Sequence, residues 1–407
     1  MITEFEPVKL TKPNPINTFV HYKASYATQD IDNYWAFDWV QINWGRFPPI
    51  INPNIIRPNG SRDIASEFYP LIEPYSSNDP DVVDYQLLLM KYAGFDGLIL
   101  EWYGYANIRP PSLPEIARPI PITKTKTAEV IAERANNIGL SHIFNYQVGT
   151  IRKNQNTISD IDAMIADTRY LVNYLVNMSN YYTINNRPLL LLQNPLSQLE
   201  FSRTAHILNP RAVYLHNWRW VLDAPSQYVN GFYTNAHRDS GFRGLLSTLA
   251  LWYERQTPNY EHVFGSAHIG QKFFDGFNKS NVHVELTHNR EVLRASLQLA
   301  KSYNLTYLQV YSWNNYNSGE IIEPTLEFGY EYLELVQKYA ETTYDKTALE
   351  QVHRYYLLTK ALRNLEQPNQ PISKRVKQVY YYLISLQLDA AIELMDQIDT
   401  LFEELVI

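Results

Sequence analysis

The chain contains no cysteine among its 407 residues, which excludes disulfides and thiolate metal sites. It also lacks a basic stripe, and its 35 Lys and Arg residues are outnumbered by 42 Asp and Glu residues. Because phosphate binding requires clustered positive charge, we expect no nucleic acid partner. No segment approaches the run of about 18 apolar residues that a membrane span needs. We therefore expect a soluble protein without a membrane span.

The cellular compartment stays open. Residues 1–30 hold no apolar run of the length found in signal peptides. An exported protein remains compatible with the sequence if a leader was removed. The pI near 5.8 fits either side of a bacterial membrane.

Several catalytic motifs are also missing. There is no His-Glu-x-x-His, and the ten His residues are scattered, so we expect no metal site. There is no Gly-x-Ser-x-Gly elbow, which leaves an α/β-hydrolase triad without support. No Gly-rich phosphate turn follows the first predicted strand, which argues against an open doubly wound sheet and against a dinucleotide. We expect no cofactor.

Aromatic and aliphatic residues are abundant, since 45% of the chain is hydrophobic and 14% is aromatic. Such a chain can bury a core. Short runs rich in β-branched and aromatic residues alternate with longer segments of helical period. The predicted strands are 18–22, 96–103, 141–148, 187–194, 212–218, 231–236, 262–268 and 307–314. The predicted helices between them are 80–93, 127–137, 158–178, 198–208, 244–255, 290–302 and 325–340.

Eight strands with intervening helices predict an α/β fold, a closed (β/α)8 TIM barrel. We assign residues 1–343 to it and expect its site at the carboxyl ends of the strands. The segment 24–77 is too long for an ordinary connection, so we expect it to build or cover that site. His21 and Asp38, at or after the first strand, are expected to be hydrogen-bonded core residues rather than pocket residues.

Strands disappear in residues 344–407, where helices are predicted over 348–365 and 373–402 with Pro368 and Pro371 between them. We expect a helical hairpin or small bundle appended to the barrel. Its apolar stripe is typical of a docked helix. We therefore expect this stripe to pack within the protein rather than to bind a protein partner. The stripe comprises Val376, Val379, Tyr380, Leu383 and Leu386.

A polar and aromatic loop, 311–325, follows the eighth predicted strand. Trp and Tyr faces can cover the apolar C–H surface of a sugar while Asn, Ser and Glu bind its hydroxyls. The alternative is an ordinary loop in which Pro324 and Thr325 start the last barrel helix.

The run Trp-Asn-x-Tyr-x-x-Gly-x-x-Ile-Glu-Pro-Thr from Trp313 resembles the eighth-strand signature of glycoside hydrolase family 71/99-like proteins. A second stretch, 68–80, leads through 91–97 to Glu101-Trp102-Tyr103 and is similar to the second-strand region of that family. The likeness covers roughly residues 18–342. It implies a (β/α)8 barrel that acts on glycans, in some members as an endo-acting α-mannosidase.

The resemblance also implies two acids, three residues apart, in the eighth-strand loop. In this chain those positions hold Asn315 and Ser318. An amide does not titrate, and a lone hydroxyl is neither acid nor base at ordinary pH. After the third strand the relatives tend to carry Tyr-Glu-Asp, where this chain has Tyr146, Gln147 and Val148. We therefore expect the hydrolytic mechanism of the family to be weak or lost.

Some carboxylates remain near predicted strand ends. Glu101 lies near the end of the second strand, where burial could raise its pKa toward general-acid chemistry, although we favour a structural or sugar-binding carboxylate. Asp96 begins that strand and is expected to be structural. Glu320 and Glu323 are three apart and could replace the missing pair, but Glu323 before Pro324 more plausibly orients the last barrel helix.

The sequence thus predicts a barrel that binds an oligo- or polysaccharide with little or no hydrolysis. An active glycosidase using Glu101 with Glu320 or another loop acid is the first alternative, and a structural or interaction scaffold is the second. The candidate catalytic residues are Glu101 and Glu320. The candidate substrate-binding residues are Trp102, Tyr103, Tyr146, Gln147, Trp313, Asn314, Asn315, Tyr316 and Ser318.

Overall fold

A computed structural model of the chain describes residues 2–40, 51–104, 121–147, 160–193, 207, 213–217, 231–233, 241–272, 274, 288–365 and 369–406. Its main sheet contains eight parallel strands. A short ninth strand, Thr183–Ile184, pairs in antiparallel orientation with the strand Arg187–Leu192. The parallel strands are β1 (Asn17–Tyr22), β2 (Gly97–Trp102), β3 (Ser141–Tyr146), β4 (Arg187–Leu192), β5 (Val213–Asn217), β6 (Gly231–Tyr233), β7 (His262–His268) and β8 (Tyr307–Tyr311).

The sheet closes on itself. β1 pairs with both β2 and β8, and β3 pairs directly with β4. Parallel pairing continues from β4 through β5, β6 and β7 to β8. The predicted (β/α)8 barrel is therefore confirmed, and each predicted strand overlaps an observed one.

Nine helices longer than one turn lie in the described part of the chain, besides the turn Gln29–Asp32. They are α1 (Pro80–Ala93), α2 (Pro121–Ile138), α3 (Asp160–Asn173), α4 (Gly241–Gln256), α5 (Arg290–Ser302), α6 (Glu331–Ala340), α7 (Lys346–Arg363), α8 (Gln370–Ile384) and α9 (Leu388–Val406). None of these helices combines the length and apolar character that crossing a bilayer requires. The predicted helix over 198–208 lies outside the described residues, Ile207 excepted.

Two predicted helices differ from the structure. The last barrel helix begins at Glu331 rather than at 325, because Thr325 forms bridges with Pro70 and Gly329 that hold this segment in turns. The predicted helix over 373–402 is two helices, α8 and α9. The break falls where Leu386 adopts a positive φ of 61°, which a right-handed helix cannot include.

Inward side chains change from apolar to polar along β1, β2 and β3. The lower interior is an apolar cluster that includes Phe19, Ile99, Ile143, Leu189 and Phe264. Since side chains alternate between the two faces of a strand, the next inward residues are two positions further along. On β1, β2 and β3 these are polar. The barrel is thus sealed by hydrocarbon below and lined with polar groups toward the carboxyl ends.

The C-terminal helices share the hydrophobic core of the barrel. The outer cluster runs from the strands through α1 to α7, α8 and α9 without interruption. Val376, Val379 and Leu383 of the predicted stripe are buried in it, and Tyr380 and Leu386 pack against it. This stripe therefore packs within the protein. The division at residue 343 and a protein partner for these helices remain predictions.

A buried lysine joins the barrel to these helices. The Lys91 side chain in α1 donates hydrogen bonds to the carbonyl of Ile138, at 2.7 Å, and to the carbonyl of Ile384. Both carbonyls lie at helix C-termini, which lack intrahelical donors. Burial lowers the pKa of Lys91 to about 7. Its amine thus caps two helices at once.

Replacing Lys91 with methionine is expected to destabilise the protein by about 1–3 kcal/mol at pH 9, because two buried carbonyls lose their donor. The pKa of Lys91 is near 10.5 in the unfolded chain and about 7 in the folded protein. Wild-type stability therefore rises with pH between these values, and Lys91→Met removes this rise. Chemical denaturation at pH 6 and pH 9 measures the difference, with exposed Lys338→Met as control. An equal loss at both pH values would contradict the prediction.

Candidate functional site

Partly exposed polar side chains project inward at the carboxyl ends of β1 to β4 and β8. In the parallel register Tyr22 is opposite Leu100 and Glu101 is opposite Asn145, so Lys23 is next to Glu101 across β1 and β2. The alternation along each strand places Tyr103, Gln147, Gln193 and Tyr311 on the same inward face. The inward residues that keep partial solvent exposure are Lys23, Glu101, Tyr103, Gln147, Gln193 and Tyr311.

The ammonium group of Lys23 lies among carboxylates at this end of the barrel. It donates hydrogen bonds to Asp38 Oδ1 at 3.1 Å and to Asn315 Oδ1 at 2.9 Å. Burial lowers the pKa of Lys23, but the negative charges of Asp38, Glu101 and Glu320 outweigh this effect and raise it overall. Lys23 is therefore held as an ammonium among three carboxylates.

Glu320 is buried and surrounded by donors. Its Oε2 atom accepts hydrogen bonds from the Asn315 amide at 2.9 Å and from the Ser318 hydroxyl at 2.8 Å. Its Oε1 atom accepts one from the Gln271 amide at 2.6 Å. These contacts satisfy both oxygens of a carboxylate, which only accepts hydrogen bonds when ionised. Glu320 is thus fixed by the two residues at the positions where the family resemblance implies acids.

Glu101 has a different environment. Its Oε2 atom accepts a hydrogen bond from the Tyr103 hydroxyl at 2.6 Å, and its side chain keeps partial exposure. Burial and the charge of Glu101 both raise the pKa of Tyr103, so this phenol remains a donor. Among the inward residues described, Glu101 is the acid that solvent and a ligand can reach.

A neutral histidine network lies just below. His21 Nε2 is 2.6 Å from Gln309 Oε1, and His268 Nε2 is 2.7 Å from Ser266 Oγ. The amide of Gln309 donates to the Ser266 hydroxyl at 3.3 Å. Burial lowers the pKa of His21 to about 4 and, together with His21, that of His268 to about 3. Both rings are therefore uncharged at neutral pH.

The wall beside the site is an aromatic cluster around a buried acid. The Tyr316 ring lies 5.2 Å from Trp39 and 5.9 Å from Tyr26, centroid to centroid. Glu323 Oε2 accepts hydrogen bonds from the hydroxyls of Tyr75 and Tyr316, both at 2.8 Å. Burial raises the pKa of Glu323 to about 7, although these hydrogen bonds act to lower it. Tyr26, Trp39 and Tyr75, from the described parts of the segment 24–77, thus cover the loop after β8.

Comparison with known proteins agrees with this architecture. No protein-family model matches the chain. A GH99 endo-alpha-mannosidase from Bacteroides thetaiotaomicron superposes with a TM-score of 0.57 at 18% identity, over 83% of this chain and 98% of that one. A glycoside hydrolase-like protein gives a TM-score of 0.53 at 15% identity, over 83% and 96% of the two chains.

Local sequence similarity points the same way. The glycoprotein endo-alpha-1,2-mannosidase of Rattus norvegicus is 33% identical over 107 residues, which is 24% of this chain and 21% of that protein. A glycoprotein endo-alpha-1,2-mannosidase-like protein of Mus musculus is 46% identical over 41 residues, 10% and 9% of the two chains. The chain is similar to glycoside hydrolase family 99. The match spans about a fifth of the length of the rat relative, so the family 99 likeness fixes the fold and leaves the activity open.

Two residues predicted to contact substrate face away from the barrel interior. Trp102 is fully buried, its ring stacked 6.1 Å from Tyr170. The Tyr146 hydroxyl donates to Asp167 at 2.9 Å, and both partners are buried. Because Glu101 and Asn145 point inward, their neighbours Trp102 and Tyr146 must point outward. They pack between the sheet and its helices, which corrects the expectation that they line the cleft.

The loop after β8 is more deeply buried than expected. Trp313, Asn314 and Tyr316 are fully buried. The Asn314 amide accepts from the Lys23 backbone N–H at 2.8 Å and donates to the Lys23 carbonyl at 3.1 Å, so it joins the loop to β1. These residues form the wall and do not face the opening. Asn315, Ser318 and Glu320 lie closer to it, around Lys23.

The sequence reasoning missed Lys23, Gln193 and Tyr311. Each lies within two residues of a strand end, and the alternation from Phe19, Leu191 and Tyr307 would have placed them inward once the interior face was known. His21 and Asp38 are buried and hydrogen-bonded, as expected. Asp96 is also structural, since it accepts from the Thr18 backbone N–H at 2.8 Å.

Replacing Glu323 with glutamine, which imitates the protonated acid, is expected to change the pH dependence of stability. The pKa of Glu323 is 4.5 in the unfolded chain and about 7 in the folded protein, so wild-type stability falls as pH rises through this interval. Relative to wild type, Glu323→Gln should gain up to about 3 kcal/mol between pH 5 and pH 8. Unfolding free energies at both pH values measure this gain. Exposed Glu331→Gln is the control, and a gain of similar size there would contradict the assignment.

Proposed function

We propose that the carboxyl end of the barrel binds an oligo- or polysaccharide and that hydrolysis of it is weak or absent. Partly exposed tyrosine, amide, carboxylate and ammonium groups surround the opening, at the ends of β1 to β4 and β8. Tyrosine rings can cover the apolar face of a pyranose, while the polar groups bind its hydroxyls. The family 99-like fold and the glycan-processing names of its relatives support a glycan as ligand.

The observation that carries the proposal is the bonding of Asn315. Its amide oxygen accepts from Lys23 and its amide nitrogen donates to Glu320, so both ends of the side chain are engaged in binding other protein groups. Ser318 donates to the same oxygen of Glu320. Glycoside hydrolysis needs one protonated acid and one carboxylate across the scissile bond. At these two positions the chain offers donors that immobilise a carboxylate instead.

A second candidate is an active glycosidase that uses Glu101 and Glu320. One observation favours it, because both carboxylates act on the ammonium of Lys23 and therefore lie on the same side of the barrel. The buried, fully bonded state of Glu320 favours a structural role for it. The two candidates predict opposite outcomes for turnover by the unaltered protein.

We expect the wild-type protein to bind oligosaccharides from a panel of α-mannan, glucan and host-type glycans without releasing reducing ends. The double change Asn315→Asp and Ser318→Glu restores two acids to this loop. Because acid–base catalysis contributes about a hundredfold or more, turnover in the double variant should exceed the wild-type level by about that factor. Calorimetric binding and a reducing-end assay on the same panel measure both effects.

The single changes Asn315→Asp and Ser318→Glu are the matched controls. Each should leave turnover near the wild-type level, since one acid of the pair would still be missing. Robust turnover by the wild-type protein, abolished by Glu101→Gln, would overturn the non-catalytic proposal in favour of the glycosidase. Absence of binding to every glycan in the panel would overturn glycan recognition itself.

A further inference from the structure

Two oppositely charged side chains, Lys23 and Glu101, are neighbours at the barrel opening. They are adjacent in the register of β1 and β2, which pairs Tyr22 with Leu100 one step below. Both point inward, as their strand mates Phe19 and Ile99 do in the apolar layer. Both also remain partly exposed, whereas Asp38 and Glu320 around them are buried.

Each of the two retains one hydrogen-bonding position. An ammonium group has three N–H donors. Among the described residues, Asp38 and Asn315 each accept one hydrogen bond from Lys23 Nζ. A carboxylate has two acceptor oxygens, and within the same part of the chain Glu101 accepts from Tyr103 through Oε2. As far as the described residues are concerned, one N–H of Lys23 and the Oε1 atom of Glu101 therefore remain available to a ligand.

We propose that Lys23 and Glu101 form a hydroxyl-binding pair that makes the site specific for neutral sugars. A hydroxyl group can accept a hydrogen bond from the ammonium, and it or its neighbour on the pyranose ring can donate one to the carboxylate. This inference rests on the proposed glycan binding. It goes further by naming the Lys23 ammonium and the Glu101 carboxylate as the groups that select the ligand. Lys23 thereby has a role that the family signature does not contain.

The charges described around Lys23 disfavour acidic sugars at this end of the barrel. Three carboxylates, those of Asp38, Glu101 and Glu320, act on the ammonium of Lys23. The nearby His21 and His268 are neutral, because burial lowers the pKa of each to about 4 or below. A uronate carboxylate placed beside Lys23 would therefore meet net repulsion from the surrounding acids.

The test compares neutral oligosaccharides of α-mannan and β-glucan with the same oligosaccharides oxidised to carboxylates at C6. In calorimetry, wild-type protein should bind the carboxylate forms about tenfold or more weakly than the neutral forms. Glu101→Gln should weaken neutral binding by about tenfold to a hundredfold, since hydrogen bonds to charged groups are lost. Glu101→Gln should also reduce the ratio of the affinity for neutral oligosaccharides to the affinity for their carboxylate forms. A purely structural role of Glu101 would leave this ratio unchanged.

Lys23→Met should weaken neutral binding by a similar factor. Because it leaves the buried Asp38 without its cation, its folding is checked by thermal denaturation, and Glu101→Gln keeps the test decisive if Lys23→Met fails to fold. Lys301→Met and Glu341→Gln, from an exposed ion pair, are the matched controls and should bind as wild type does. If the wild type binds neutral glycans and Glu101→Gln binds them equally well, the pair is overturned while glycan binding stands. If no neutral glycan binds, the proposed function fails and the pair with it.

Discussion

The arrangement of the loops at the carboxyl end of the barrel depends on the burial of charged side chains there. A charge removed from water must find a counter-charge or hydrogen bonds, because the penalty otherwise reaches several kcal/mol. Lys23 meets this requirement with partners from two other segments, Asp38 in the long segment after β1 and Asn315 in the loop after β8. One ammonium thus fixes two loops against the barrel, and the aromatic wall of Trp39 and Tyr316 fills the space between them.

The same requirement explains why an amide suits position 315. A carboxylate there would satisfy the Lys23 ammonium but would lie next to the Glu320 oxygen that now accepts from the amide nitrogen at 2.9 Å. Like charges at that separation cannot both ionise at neutral pH, so one of the two would take up a proton. Asn315 presents an oxygen to the cation and an N–H to the anion, and it therefore joins both without a charge of its own.

The sequence predicts the strands of this fold well because each is a short apolar run closed by turn residues. It does not reveal which face of a strand is inward. In a barrel both faces are covered, so Leu98, Ile99 and Leu100 look equivalent along the chain, and Trp102 could be assigned to the cleft for that reason. The contacts of Asp38 with Lys23, and of Tyr75 with Glu323, join residues whose pairing depends on the tertiary fold. Local periodicity contains no information about such pairs.

These interactions also bear on the proposed binding without hydrolysis. Removing one acid from a catalytic pair would leave the other groups of the site with unsatisfied partners, which is costly in a buried place. Here Lys23, Asn315, Ser318, Gln271 and Glu320 satisfy one another, so the proposed absence of a catalytic pair leaves none of these groups without a partner. Glu101 lies outside this hydrogen-bond network, and the described residues engage only its Oε2 atom. A site built in this way can retain recognition of hydroxyl groups after its proton-transfer chemistry has gone, because recognition requires only fixed donors and acceptors whereas hydrolysis requires a proton that moves.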